Sequence, residues 1–213
     1  MEITVHSKDS GTIIFPPNVY AYCGLGRTAQ SITNYLVDHV DRISVRYASM
    51  KEYFEYFRPT SVLDVGCGFA VIDVLLARFG GVHTIHLLDG DGTGKQSHSF
   101  DPKSRPWYNV EIGHGVVAAN VPNVQGGVQS FAHTSFPTDI KVDLIISTRA
   151  WGHHFPVEMY VEQAKAILST TGSVILDIRR NTNGKEKMLE AGFLVDQELP
   201  SFSEKCSRFI FVR

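Results

Sequence analysis

The stretch that decides the fold is Val62-Leu63-Asp64-Val65-Gly66-Cys67-Gly68-Phe69-Ala70. Ser61 to Val65 is a short apolar, β-branched run that stops at two glycines, and an amphipathic helical pattern (Val71, Val74, Leu75, Phe79) follows at once. A strand running through a glycine turn into a helix lets backbone approach a ligand without Cβ clashes and aims unpaired helix N–H groups at it. Outward from there the alternation repeats. Further strands are expected at 83–88, 127–132, 142–147, 173–178, 193–195 and 208–212. Helices are expected at 71–79, 107–119, 156–168 and 185–191. Strands alternating with helices predict a mainly parallel sheet covered on both faces. Residues 28–57 predict one or two helices with Ile32, Leu36, Val40 and Ile43 inward, ended by Pro59. Residues 1–27, broken by Gly11, Pro16, Pro17, Gly24 and Gly26, read as loops with a short strand or helix. Residues 90–106 form a long polar connection, functional or mobile.

Composition narrows the class. The chain has 213 residues, 43% hydrophobic and 20% charged, with 20 Lys+Arg against 22 Asp+Glu. That length suits one domain: an N-terminal segment and helical cap over 1–58 and a main unit over 59–213. The formal charge of −2 argues against a broadly basic, nucleic-acid-gripping surface. No apolar run reaches membrane-spanning length, and the N-terminus lacks a signal-peptide pattern, so neither a membrane partner nor export is expected. Cys23, Cys67 and Cys206 are widely spaced with no CxxC, which favours reduced thiols and a cytoplasmic setting.

Two acids sharpen the glycine turn. Asp64 ends the first strand, and Asp89 ends the next one, 21 residues after Gly68. There a carboxylate stands beside the sheet's switch point and can take two ribose hydroxyls. A dinucleotide site wants Gly or Ala where Val71 stands, and it gains nothing from a negative Asp64 near a pyrophosphate. A site for a cationic amine and sulfonium wants such an acid. At these residues the chain resembles the class I S-adenosylmethionine-dependent methyltransferases, over roughly residues 59–213. The resemblance implies an α/β, Rossmann-like three-layer sandwich. Its seven-stranded sheet is mostly parallel, with the last strand antiparallel between the fifth and sixth. It also implies S-adenosyl-L-methionine as cofactor, with Asp64, Gly66, Cys67 and Gly68 around the methionine moiety and Asp89 on the ribose. Adenine would lie near Gly90, Asp91 and His133 to Ser135, and Ser147 at the end of the fourth strand would also face the cofactor.

Beyond that strand runs Thr148-Arg149-Ala150-Trp151-Gly152-His153-His154-Phe155-Pro156. A neutral imidazole there can take a proton from an attacking hydroxyl. The segment from Ser147 to Tyr160 resembles one in sugar O-methyltransferases, where a Trp-Gly-x-His-aromatic-Pro run follows the fourth strand. By that match His154 is the recurrent histidine, expected as the base or as a ligand of the substrate hydroxyl, with Arg149, Trp151 and His153 toward the acceptor. The adjacent histidines lack zinc-site spacing, and Asp143 and Asp177 alone do not make a metal centre, so no metal is expected. The expected partner is a small-molecule or glycan acceptor bearing a hydroxyl. Alternatives are a nitrogen acceptor on RNA or protein, and a non-catalytic cofactor-binding subunit. The N-terminal residues Tyr20, Tyr22, Gly24, Gly26 and Arg27 are candidates for a lid or for simple packing. Lys95, Lys103, Arg105, Trp107 and Tyr108 are candidates for an acceptor pocket or a solvated loop.

Overall fold

A computed structural model of the chain describes residues 2–23, 28–92, 100, 108–201 and 203–213. Gly24, Gly26, Arg27, Lys95, Lys103, Arg105 and Trp107 lie outside them. In chain order the elements are β1 (Ile3–Ser7), β2 (Gly11–Phe15), α1 (Pro17–Cys23), α2 (Ala29–Ala48), α3 (Lys51–Phe57), β3 (Ser61–Val65), α4 (Val71–Phe79), β4 (Thr84–Asp89), α5 (Val110–Asn120), β5 (Val128–Ala132), β6 (Val142–Ser147), a 3₁₀ turn (Val157–Met159), α6 (Val161–Ile167), β7 (Leu168–Arg179), α7 (Gly184–Glu190), β8 (Leu194–Leu199) and β9 (Cys206–Val212).

The main sheet has seven strands in the order β5-β4-β3-β6-β7-β9-β8. Pairings among β5, β4, β3, β6 and β7 are parallel, and β9 runs antiparallel to both β7 and β8. This is the expected topology, with the last strand inserted between the fifth and sixth. Side chains alternate across a sheet, and that pleat sorts the core into two layers. Val62, Leu144, Ile146, Ile175 and Ile210 face the layer built with α2, α4 and α5. Leu63, Val65, Ile145, Val174 and Phe211 face α6 and α7. Asp64, Asp89, Asp177 and Arg208 share the parity of the first set, so all four project toward the face that α2 covers.

Several expectations are corrected. Residues 1–27 are not mainly loop: β1 and β2 form an antiparallel hairpin turned at Gly11, whose φ is +71°, and α1 follows. Asn120 holds this hairpin by accepting from Ile14 N (2.9 Å) and donating to Ile14 O (2.7 Å), while Arg78 donates to Thr12 O (2.8 Å). The 28–57 region, expected as one or two helices, is indeed helical, as two helices. Thr28 caps α2 by accepting from Ser31 N at 3.2 Å, and Arg58, left-handed at φ +51°, closes α3. The helix expected from Trp107 starts at Val110, because Asn109 caps it by accepting from Glu111 N (3.0 Å). The helix expected over 156–168 shrinks to a 3₁₀ turn and α6. β7 begins at Leu168, five residues before the expected strand, through a register shift between Val142 and Leu144. Gly172 permits the shift, since a Cβ there would meet Asp143 O at 2.9 Å. No helix among the described residues is long and apolar enough to cross a membrane, and Cys23, Cys67 and Cys206 are buried and form no disulfide.

Candidate functional site

A cavity of about 310 Å³ opens at the C-terminal ends of β3, β4 and β6, beneath the polar face of α2. Its volume is that of a small-molecule site. The glycine turn forms one wall. Gly66 (φ +80°), Gly68 (φ +57°) and Ala70 (φ +53°) are left-handed in succession, which folds the chain tightly from β3 into α4. Gly66 N and Cys67 N both donate to Leu88 O, at 2.7 and 3.3 Å, and tie the turn to β4.

Asp89 anchors the turn from the other side. Its Oδ2 accepts from Gly68 N (2.8 Å) and its Oδ1 from Gly90 N (2.7 Å). Burial pushes this carboxyl up to about 6, against the two amide bonds that favour its charge. Asp64 is 3% exposed and lines the cavity. Beside it lies Asp73, fully buried in the first turn of α4, whose oxygens have no partner at standard hydrogen-bond geometry. Burial, and then Asp73, pushes the Asp64 carboxyl well above the usual range, and burial pushes Asp73 up to about 7. Neither acid meets a cation among the described residues. This end of the cavity is therefore built to receive positive charge. The Cys67 thiol is pushed up by burial and by Asp89, Asp64 and Asp73, so it is inert as a nucleophile.

The loop after β6 winds around one carbonyl. Ala150 O accepts from His153 N, His154 N and Phe155 N at 3.1, 2.8 and 3.1 Å. Arg149 (φ +73°) and Gly152 (φ +86°) supply the left-handed turns this needs. The two histidine rings meet edge to face with centroids 4.7 Å apart, and His154 is the one that lines the cavity, with Arg149 and Trp151. His153 is buried behind the cavity wall with its Nδ1 unpartnered. Burial and then Arg149 push His153 down, so it stays neutral. Ser147 also lies off the cavity and works as a clip: its hydroxyl donates to Val65 O (2.6 Å) and accepts from Trp151 N (2.9 Å). Gly90 contributes its amide to Asp89 but no wall. Trp151 is fully buried and donates from Nε1 to Val157 O at 2.9 Å.

The structure adds residues that the sequence reading passed over. Tyr35, His39, Arg42 and Arg46 line the cavity from α2 at successive helical turns. Tyr35 and Tyr108 hydroxyls meet at 3.2 Å. Phe69, just past Gly68, has Phe15, Tyr22, Tyr35, His39 and Tyr108 around it with ring centroids 4.9–6.4 Å away. His39 is pushed down to about 4 by burial and by Arg46. Arg46 is pushed down to about 10 by burial and by Arg149.

No protein-family model matches the chain, and no curated protein matches it at a significant level. Solved structures do match it. Magnesium protoporphyrin IX methyltransferase (ChlM) from Synechocystis PCC 6803 with bound SAM is 16% identical. It aligns over 91% of this chain and 88% of that one, with a TM-score of 0.56. The same protein with bound SAH is 15% identical and aligns over 92% of each chain, with a TM-score of 0.55. The S-adenosylmethionine-dependent methyltransferase SibL is 16% identical, with a TM-score of 0.59 over 89% of this chain and 60% of SibL. The fold is that of the class I S-adenosylmethionine-dependent methyltransferases. In this methyltransferase fold the chain keeps the strand order, and its cavity sits at the sheet's switch point, where β3 neighbours both β4 and β6.

Proposed function

We propose that the protein is an S-adenosylmethionine-dependent methyltransferase acting on a hydroxyl of a small molecule or sugar. The observation that carries this reading is the glycine turn held between buried acids. Asp89 bonds the Gly68 and Gly90 amides, and neither Asp64 nor Asp73 meets a cation among the described residues. A ligand with an ammonium and a sulfonium supplies the missing charge, and the Asp89 carboxylate presents its remaining lone pairs to ribose hydroxyls. When bound, S-adenosylmethionine supplies a methyl carbon made electrophilic by the sulfonium.

The chain's own contribution is positioning and proton transfer. The walls from α2 and the β6 loop hold the acceptor in line with the methyl group, where effective concentration carries much of the rate. His154, on the cavity wall, takes the proton that the acceptor hydroxyl gives up. Arg149 and Trp151 flank the acceptor. Support for the hydroxyl assignment is this histidine and the likeness of its loop to sugar O-methyltransferases.

Thermal shift with S-adenosylhomocysteine tests the cofactor assignment. A ligand bound only by the folded state raises melting, and Asp89→Ala should abolish the shift. No shift in the wild type would sink the reading. Labelled methyl transfer to a panel of sugars and small alcohols, set beside RNA and peptides, tests the acceptor class.

A further inference from the structure

The charges around the cavity do not cancel evenly. At its far side Arg208, 1% exposed, donates from Nε to Asp177 Oδ1 (2.7 Å) and from Nη2 to Oδ2 (3.0 Å), so those two charges neutralise each other. Arg42 is paired with Asp38. Arg46 and Arg149 remain. Both line the cavity, and neither has a carboxylate partner among the described residues. Arg149 is held there by a left-handed backbone (φ +73°) that a non-glycine residue adopts at a cost. Two guanidinium groups brought together without a counterion repel. An oxyanion between them would relieve this, and a planar fork matches carboxylate or phosphate with two parallel bonds.

We propose that Arg46 and Arg149 form an acceptor-anion site, which takes a carboxylate or phosphate group carried by the molecule to be methylated. This rests on the methyltransferase reading above and narrows its substrate to anionic alcohols. The cofactor's own carboxylate is the competing source, and the experiment below separates the two. Arg46 sits among Arg149, Asp177 and Arg208, at the ends of β6, β7 and β9. β7 lies two strands from β3, which carries Asp64. At about 4.8 Å per strand, β3 and β7 stand ~10 Å apart. An amino acid's ammonium and carboxylate sit on one carbon, no more than ~4 Å apart. A carboxylate tethered to an ammonium at Asp64 stays near β3, so loss of S-adenosylhomocysteine affinity in the arginine variants would be the sign that the cofactor supplies the anion.

Calorimetry on the full chain at low salt tests this. Inorganic phosphate is titrated into wild type, Arg46→Gln and Arg149→Asn, each with and without S-adenosylhomocysteine. Asn accepts the left-handed backbone at 149. Methylthioadenosine, which lacks the amino-acid end, is the second cofactor probe. The expected result is saturable phosphate binding in the wild type, weakened at least tenfold in both variants. Affinities for S-adenosylhomocysteine and methylthioadenosine should stay within twofold of wild type. Melting curves check folding, and Arg46→Lys, which keeps the charge, should recover part of the phosphate affinity. Unsaturable phosphate binding, or equal binding in all proteins, overturns the site. Selective loss of S-adenosylhomocysteine but not methylthioadenosine affinity also overturns it, by assigning the arginines to the cofactor. If neither adenosine compound binds the wild type, the methyltransferase reading fails, while phosphate on the free protein still reads the arginine pair.

Discussion

Ala150 stands where a side chain on Gly66 would have to go: a Cβ built on Gly66 would lie 2.0 Å from the Ala150 Cβ. The Ala150 side chain thus packs on the bare Gly66 backbone, and the glycine turn and the β6 loop set each other's position. Gly66→Ala adds this clash to the strain of a left-handed alanine at φ +80°, itself about 1–3 kcal/mol. We expect a lower urea midpoint and a loss of S-adenosylhomocysteine affinity exceeding tenfold. Adding Ala150→Gly should remove the clash and recover part of the stability but not the φ penalty. Full recovery would show that strain at 66 is negligible.

The buried acids make stability pH-dependent, with a definite sign. Asp73 titrates at about 7 and Asp89 at about 6 in the folded protein, and Asp64 is also raised, while unfolded aspartates titrate near 3.8. Between those values the folded state holds more protons than the unfolded one, so stability falls as pH rises. Buried His39 and His153, both pushed down, act with the opposite sign below the ordinary imidazole value of 6.5, so the urea midpoint should decline from pH 7 to pH 8. Asp73→Asn should flatten that decline and raise stability at pH 8. A midpoint that climbs over this range would contradict the buried pair.

Binding of a cation at the same acids should expel protons. Calorimetry of S-adenosylhomocysteine at pH 6.5 in buffers of different ionisation enthalpy reads the number released, which is expected to be above zero and reduced in Asp73→Asn. Buffer-independent heats would show that the acids are already ionised.

His154→Gln tests the proposed base. On a working acceptor, kcat should fall by about 10²–10⁴-fold with cofactor affinity unchanged. His153→Gln, behind the cavity wall rather than in it, should leave the cofactor and acceptor constants nearly intact while lowering melting. Unchanged turnover in His154→Gln would remove it from the chemistry.

The Asp177–Arg208 pair is a structural test. Breaking a buried ion pair from one side typically costs about 3–5 kcal/mol, because the remaining charge is left uncompensated. Asp177→Asn should therefore cost more in a denaturant titration than the double change Asp177→Leu with Arg208→Met. Equal losses would mean that Arg208 finds another partner, and Ser49, which already accepts from its Nη1 at 3.2 Å, is the nearest candidate.

How much of this was legible depends on how local each signal is. β3, the glycine turn, α4 and Asp89 announce themselves through composition and spacing, because a tight turn and a strand end impose residue types on themselves. The polar face of α2 does not. Tyr35, His39, Arg42 and Arg46 look like an ordinary solvated helix face, and only the docking of α2 over the strand ends makes them a wall. Asp73 reads as a helix-start acid that complements the dipole; its burial beside Asp64 comes from packing. The β1–β2 hairpin was passed over although Ile3 and Val5 alternate inward, because two five-residue strands are secured by Asn120 and Arg78, a hundred and more than sixty residues away. The separate placement of His153 and His154 follows from positive φ values at Arg149 and Gly152, and the first of these has no composition signal.

Phe69 carries one more consequence. The ring that follows the glycine turn is enclosed by aromatic side chains drawn from β2, α1, α2 and the approach to α5. A chain begun at residue 59 would keep every strand of the large sheet and still expose this ring to water. The first fifty-eight residues are therefore the turn's inner lining, and shortening them would unbuild the pocket from the inside before it touched the sheet.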